Sequence, residues 1–173
     1  MNYWKDVDSG PDPPHKLYAV IENIRGSHNY YQYDLIHEAF MLEKVIYSHI
    51  LFDEGLIPRT ILEKVNPLRS IVFVNQETFP GCVVPIRPIG FIKIVKLEKT
   101  YSKLISVGLN DPLYEDLRTT SNLTESMKNE VLYQIEYVNS FSDDSTTTRV
   151  NWSECGDALK IVSEAMKKYS EGG

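Results

Sequence analysis

A short run of β-branched and aromatic residues, Ile71–Val74, constrains the fold of this 173-residue chain more than any other stretch. The run is apolar at every position, which is typical of a strand that is buried on both faces. The sequence in front of it contains the turn-forming residues Gly55, Pro58 and Pro67. We therefore predict a turn at Gly55, an irregular passage, and then a buried strand.

Three polar side chains precede this strand, and they make its entrance a candidate site. They are Lys64, Asn66 and Arg69. Functional residues are often carried by loops at the mouth of a rigid sheet. The position therefore indicates a site, although these residue types do not by themselves name a ligand.

Length and composition favour one globular domain, spanning residues 1–173, with an extended N-terminal arm at residues 1–16. The chain is 42% hydrophobic and 24% charged, and it has a net charge of −6. The acidic balance argues against nucleic-acid binding. The sequence shows neither an apolar run of the ~20 residues that a membrane helix needs nor a secretory signal. We expect a soluble, cytoplasmic protein, with import into an organelle by an internal signal left open.

The remaining pattern predicts further strands and then two helices. The strands are expected at Leu17–Glu22, Tyr30–Asp34, Phe40–Tyr47, Cys82–Val95 and Lys103–Val107. Pro85 and Pro88 favour an edge strand or a bulge, because proline cannot donate to a ladder. Helices are expected from Thr124 to Ser140 and after Ser153, separated by the polar segment Asp143–Thr148. This order favours an α+β, mainly β fold, a small closed barrel with two outer helices.

The residues Gly55, Ile57, Pro58, Arg59 and Thr60, with Pro67 and the following strand, resemble the signature of the soluble inorganic pyrophosphatases. Similar stretches continue along the chain, among them YAVIE, FMLEKVIYS, TFPGCVV, RPIGFIK and NDPLYEDL. The resemblance is to the archaeal and plant branches of the family. It implies a five-stranded, OB-like closed barrel with additional strands, and oligomer formation.

The resemblance also implies which positions would form the family's site. In this sequence they are Glu22, Tyr30, Gln32, Lys44, Glu54, Lys64, Asn66, Arg69, Lys96, Tyr101, Lys103, Val138 and Asn139. Glu22 and Lys103 keep the family's residue type, and Lys44 replaces an arginine. Glu54 stands where the family has an active-site tyrosine.

The acidic residues that hold Mg²⁺ in the family are replaced in this chain. The three central aspartates fall on Lys64, Asn66 and Arg69, and two later ones fall on Lys96 and Tyr101. A cation in place of a ligand repels a metal ion by about 4 kcal/mol per unit charge at ~4 Å. We therefore expect no catalytic residues, no bound metal and no cofactor, the family's Mg²⁺ being lost. The expected protein is a pseudoenzyme that serves as a structural subunit of a homo-oligomer or a larger complex.

Two alternatives to this expectation stay open. The first is an active Mg²⁺-dependent diphosphatase that splits diphosphate into two phosphates. The second is a metal-free module that binds phosphate or another anion. The second alternative would use five cations that the resemblance places around one pocket, namely Lys44, Lys64, Arg69, Lys96 and Lys103.

Overall fold

The computed structural model describes residues 1–140 and 148–172. Within this part of the chain the strands are β1 (Leu17–Asn23), β2 (Asn29–Asp34), β3 (Ala39–Val45), β4 (Asp53–Leu56), β5 (Arg69–Phe73), β6 (Val83–Lys96), β7 (Lys99–Gly108) and β8 (Arg149–Ser153). The α-helices are α1 (Glu125–Val138) and α2 (Cys155–Gly172). Two 3₁₀ helices, Pro112–Tyr114 and Thr120–Asn122, connect β7 to α1.

Five strands close into a barrel, as the sequence predicts. They follow the order β1-β4-β5-β7-β6, and β6 pairs back onto β1. The pairing of β5 with β7 is parallel and the other pairings are antiparallel. β8 extends the sheet beside β6, and β2 and β3 form a separate hairpin. The α+β, mainly β class with additional strands and two helices is confirmed.

The two helices pack in different hydrophobic clusters, and β5 contributes side chains to both. Ile71 and Phe73 pack in a cluster that includes Val131 and Ile135 of α1. Val72 packs in a second cluster, with Val162 of α2. A strand whose side chains alternate between two hydrophobic clusters must be apolar at successive positions, and this explains why every residue of Ile71–Val74 is apolar.

No helix in the described ranges combines the length and the apolar character needed to cross a bilayer.

The long strand β6 differs from the prediction of an edge position. It pairs with β1, β7 and β8, so it lies inside the sheet. A register shift between Pro88 and Gly90 forms the predicted irregularity. The bulge tolerates Pro88 because it interrupts the ladder where an N–H is missing, whereas Pro85 is paired in regular register with Tyr18.

Two strands have no counterpart among the predicted elements. β4 has the sequence Asp-Glu-Gly-Leu and β8 has Arg-Val-Asn-Trp-Ser. Both are short, and neither shows a clear apolar pattern. Gly55, predicted in a turn, lies inside β4 opposite Ile21 and Ser70. Residues 143–147 of the predicted polar break lie outside the described residues.

Close backbone contact explains why position 55 is glycine. A Cβ atom there would lie 2.5 Å from the carbonyl oxygen of Val20. We predict that Gly55→Ala lowers the free energy of unfolding by about 1–3 kcal/mol or more, because the neighbouring strand must move. Urea unfolding measures the change.

Gly156 provides the control for this substitution. It lies in the first turn of α2, and a Cβ built there meets nothing within 4 Å. Gly156→Ala should leave stability unchanged or raise it by up to about 1 kcal/mol, since alanine favours helix. Equal effects of the two substitutions would contradict the steric argument.

Candidate functional site

A cavity of about 460 Å³ opens at one end of the barrel, between the β2–β3 hairpin and the last turn of α1. Ten of the thirteen positions predicted from the family pattern line it: Tyr30, Gln32, Lys44, Glu54, Asn66, Arg69, Tyr101, Lys103, Val138 and Asn139. The other three are not part of the lining. Glu22 lies behind Arg69, Lys64 is exposed in the loop before β5, and Lys96 ends β6.

The first buried ion pair of the site joins Arg69 of β5 to Glu22 of β1. The Nε and NH2 groups of Arg69 donate to the two carboxylate oxygens of Glu22 at 2.9 and 3.2 Å. Glu22 is 2% exposed and also accepts a 2.7 Å hydrogen bond from the backbone N–H of Tyr33. Burial opposes the charge of Arg69, but the Glu22 carboxylate raises its pKa above the ordinary value. Arg69 is therefore a fixed cation.

The second buried ion pair joins Lys103 of β7 to Glu54 of β4. The Lys103 ammonium lies 3.0 Å from Oε1 of Glu54. Burial disfavours the ammonium, yet Glu54 and Tyr30 more than offset it and raise the pKa of Lys103. Lys103 is thus charged throughout the physiological range.

Gln134 of α1 holds the second oxygen of Glu54. Its Nε2 donates to Oε2 of Glu54 at 3.0 Å, and its Oε1 accepts from the backbone N–H groups of Leu51 and Phe52 at 2.8 Å. Sequence reasoning missed this residue. The available signal was its spacing, since Gln134 lies between Val131 and Val138 on the buried side of the helix.

Tyr30 and Lys44 form the hairpin side of the cavity. Burial, assisted by the charge of Glu54, raises the pKa of Tyr30 to about 12. Its phenol therefore stays protonated at neutral pH and can donate a hydrogen bond. The Lys44 ammonium lies 5.6 Å from the centroid of the Tyr30 ring and donates to the carbonyl of Val138.

Comparison with known proteins identifies the family. Residues 19–170 match the family model described as inorganic pyrophosphatase. The chain belongs to the inorganic pyrophosphatase family.

Relatives match the chain from end to end. The inorganic pyrophosphatase of Halobacterium salinarum is 31% identical, with 98% of this chain and 97% of the relative covered. That of Haloferax volcanii is 28% identical, with 99% and 98% covered. The crystal structure of the inorganic pyrophosphatase from Thermus thermophilus superposes with a TM-score of 0.86 at 26% identity, covering 98% of this chain and 99% of that chain.

These relatives contradict the expectation of a pseudoenzyme with a structural role. Proteins up to 31% identical over nearly the whole chain are named inorganic pyrophosphatase, which points to an enzyme. The expectation that the family's Mg²⁺ is lost and that no cofactor is used is contradicted by the same membership. Both expectations were wrong because they weighed the replaced positions above the agreement of the rest of the chain.

The side chains of this inorganic pyrophosphatase family member do not fit a cluster of Mg²⁺ ions. Within residues 1–140 and 148–172, no group of three or more His, Cys, Asp or Glu side chains could hold a metal ion. Two buried carboxylates at this site, Glu22 and Glu54, are already bound by Arg69 and Lys103. Hard divalent cations need several free oxygen ligands. The family membership and the donor set therefore disagree at this point.

The Arg69–Glu22 pair generates a stability prediction. Arg69→Leu should lower the free energy of unfolding by about 3–5 kcal/mol, because it leaves the Glu22 carboxylate buried without its cation. Urea unfolding of the variant against the parent chain measures the loss.

The double variant Arg69→Leu with Glu22→Gln is the control. Removing the second charge should recover part of the stability, since an amide is easier to bury than a carboxylate. A loss below about 1 kcal/mol for the single variant, or no recovery in the double variant, would show that the pair is not coupled as described.

Proposed function

We propose that this chain hydrolyses inorganic diphosphate and that the cavity at the barrel mouth binds it. The observation that carries the proposal is the pair of fixed cations, Arg69 and Lys103, on the wall of this cavity. The names of the relatives that match the chain over nearly its whole length support diphosphate hydrolysis as the reaction. The position of the cations supports the cavity at the barrel mouth as the binding site. Charge-assisted hydrogen bonds from such groups are the usual means of holding phosphate oxygens.

The side chains have distinct roles in this proposal. Arg69 and Lys103 are each held by a carboxylate, and a phosphate oxygen competes with that carboxylate for their donors. Tyr30 adds a neutral O–H donor, and Lys44 adds a cation from the opposite side of the cavity. These residues bind and orient diphosphate. No step is assigned to a metal ion, because the donor set does not fit one.

Phosphate release from diphosphate in the presence of Mg²⁺ tests the proposal. We expect release above the uncatalysed rate. Lys103→Met should lower kcat/KM by roughly 10- to 150-fold, the equivalent of one hydrogen bond to a charged group. The variant is made in a Glu54→Gln background so that no buried carboxylate is left unpaired.

Lys160→Met is the matched control for the loss of a lysine, because Lys160 is exposed on α2, outside the cavity lining. It should keep the parent rate. Absence of phosphate release from the parent chain, together with absence of diphosphate binding, would refute the proposed function.

A second candidate function is binding of diphosphate by the side chains themselves. It is favoured by the three cations that line the cavity, Lys44, Arg69 and Lys103. Calorimetric titration with diphosphate in the presence of EDTA measures this binding separately from turnover. Heat of binding that disappears in the Lys103→Met variant would support it, and a flat titration would exclude it.

We also propose that copies of this chain associate into a homo-oligomer. Three apolar side chains of β3 are exposed, Met41 by 44%, Leu42 by 53% and Val45 by 67%. Exposed apolar patches often mark contact surfaces. Native mass spectrometry of the parent chain should show more than one copy, and Leu42→Ser should shift the distribution toward the monomer. The expected cytoplasmic location and the absence of nucleic-acid binding stay predictions.

A further inference from the structure

A second cavity, of about 350 Å³, adjoins the first. The two cavities share five lining residues: Gln32, Glu43, Asn66, Pro67 and Arg69. A ligand held by Arg69 therefore lies at the border between them. A substituent on a phosphate bound there is therefore next to the second cavity and has room to enter it.

The walls that belong to the second cavity alone are largely apolar. Leu35 and Ile36 contribute from the hairpin, Val65 contributes from the loop before β5, and Trp4 and Tyr33 close the inner end. Ile36 is 87% exposed and Val65 is 64% exposed. Covering exposed aliphatic side chains at the rim of a cavity with an apolar group removes apolar surface from water and so stabilises the complex.

Several polar atoms of this wall are already hydrogen-bonded. Trp4 donates its Nε1–H to the carbonyl of Thr60 at 2.9 Å, and the Tyr33 hydroxyl accepts from the backbone N–H of Tyr3 at 3.1 Å. Asp34 accepts the backbone N–H groups of Ile36 and His37 through one carboxylate oxygen at 2.8 Å. A polar ligand group placed against Leu35, Ile36 and Val65 would lose hydrogen bonds to water, because these side chains offer none in return.

We propose that the site takes a diphosphate ester of a short aliphatic alcohol. Its diphosphate group lies against Arg69 and Lys103 in the first cavity, and its hydrocarbon chain lies along Leu35, Ile36 and Val65 in the second. This proposal rests on diphosphate binding in the first cavity, as argued under the proposed function. It adds a substrate class, because five of the six residues that line the second cavity alone are aliphatic or aromatic.

Calorimetric titration with a series of diphosphates tests the proposal. The probes are inorganic diphosphate, methyl diphosphate, isopentenyl diphosphate and ADP. Each methylene buried in the second cavity should tighten binding roughly fourfold. We therefore expect isopentenyl diphosphate to bind at least about tenfold tighter than methyl diphosphate, and ADP to bind more weakly than isopentenyl diphosphate.

Substitutions locate the hydrocarbon chain. Ile36→Ser and Val65→Ser should each reduce the preference for isopentenyl over methyl diphosphate by several-fold. Both side chains are exposed, so neither substitution removes buried core. Leu113→Ser is the control, since Leu113 is 62% exposed and lies outside the lining of both cavities. It should leave the preference unchanged.

The outcomes separate this proposal from the proposed function. Binding of inorganic diphosphate without a preference for the isopentenyl ester would overturn the aliphatic substrate class and leave the function standing. Absence of binding of every diphosphate would overturn both. Tighter binding of ADP would overturn the aliphatic class in favour of nucleotides, and an unchanged preference in both serine variants would overturn the assigned cavity.

Discussion

The two buried ion pairs, Arg69–Glu22 and Lys103–Glu54, are the interactions on which the barrel mouth depends. Each pair joins strands that are not neighbours in the sheet: β1 to β5 across β4, and β4 to β7 across β5. Burying such ions costs several kcal/mol each, which is offset only when their remaining hydrogen bonds are made. The backbone N–H of Tyr33 and the amide of Gln134 supply those bonds.

The same ion pairs explain why a member of the inorganic pyrophosphatase family has side chains at its barrel mouth that do not fit Mg²⁺. Membership follows from the residues that build the barrel, whereas chemistry depends on a few side chains at its mouth. In this chain those side chains neutralise one another, so an incoming phosphate competes with Glu22 and Glu54 for Arg69 and Lys103. Ligand affinity is then set by how far the cations can turn from carboxylate to phosphate. A strongly charged, multidentate group such as diphosphate is suited to that competition.

The strands that bury apolar side chains could be predicted from the sequence. A strand whose buried residues are polar could not, because it shows no hydrophobic pattern. β5 and the hairpin were predictable from composition and alternation, and the barrel from the family resemblance. β4 was not, because Asp53, Glu54 and Gly55 are all buried although none of them is hydrophobic. Their burial depends on partners distant in sequence, such as Lys103 and Gln134, which local propensity does not report.

The candidate site shows the same division. The family pattern brought together ten lining positions, but it also included Lys64 and Lys96, which lie outside the lining. The second cavity could not be predicted at all, because its walls come from three distant segments. Trp4 of the N-terminal arm packs against Tyr169 of α2, with ring centroids 5.1 Å apart. This contact fixes Trp4 in the wall of the second cavity beside Tyr33. The apolar extension of the site is thus a consequence of how the arm docks, and the arm's own sequence gives no sign of a ligand.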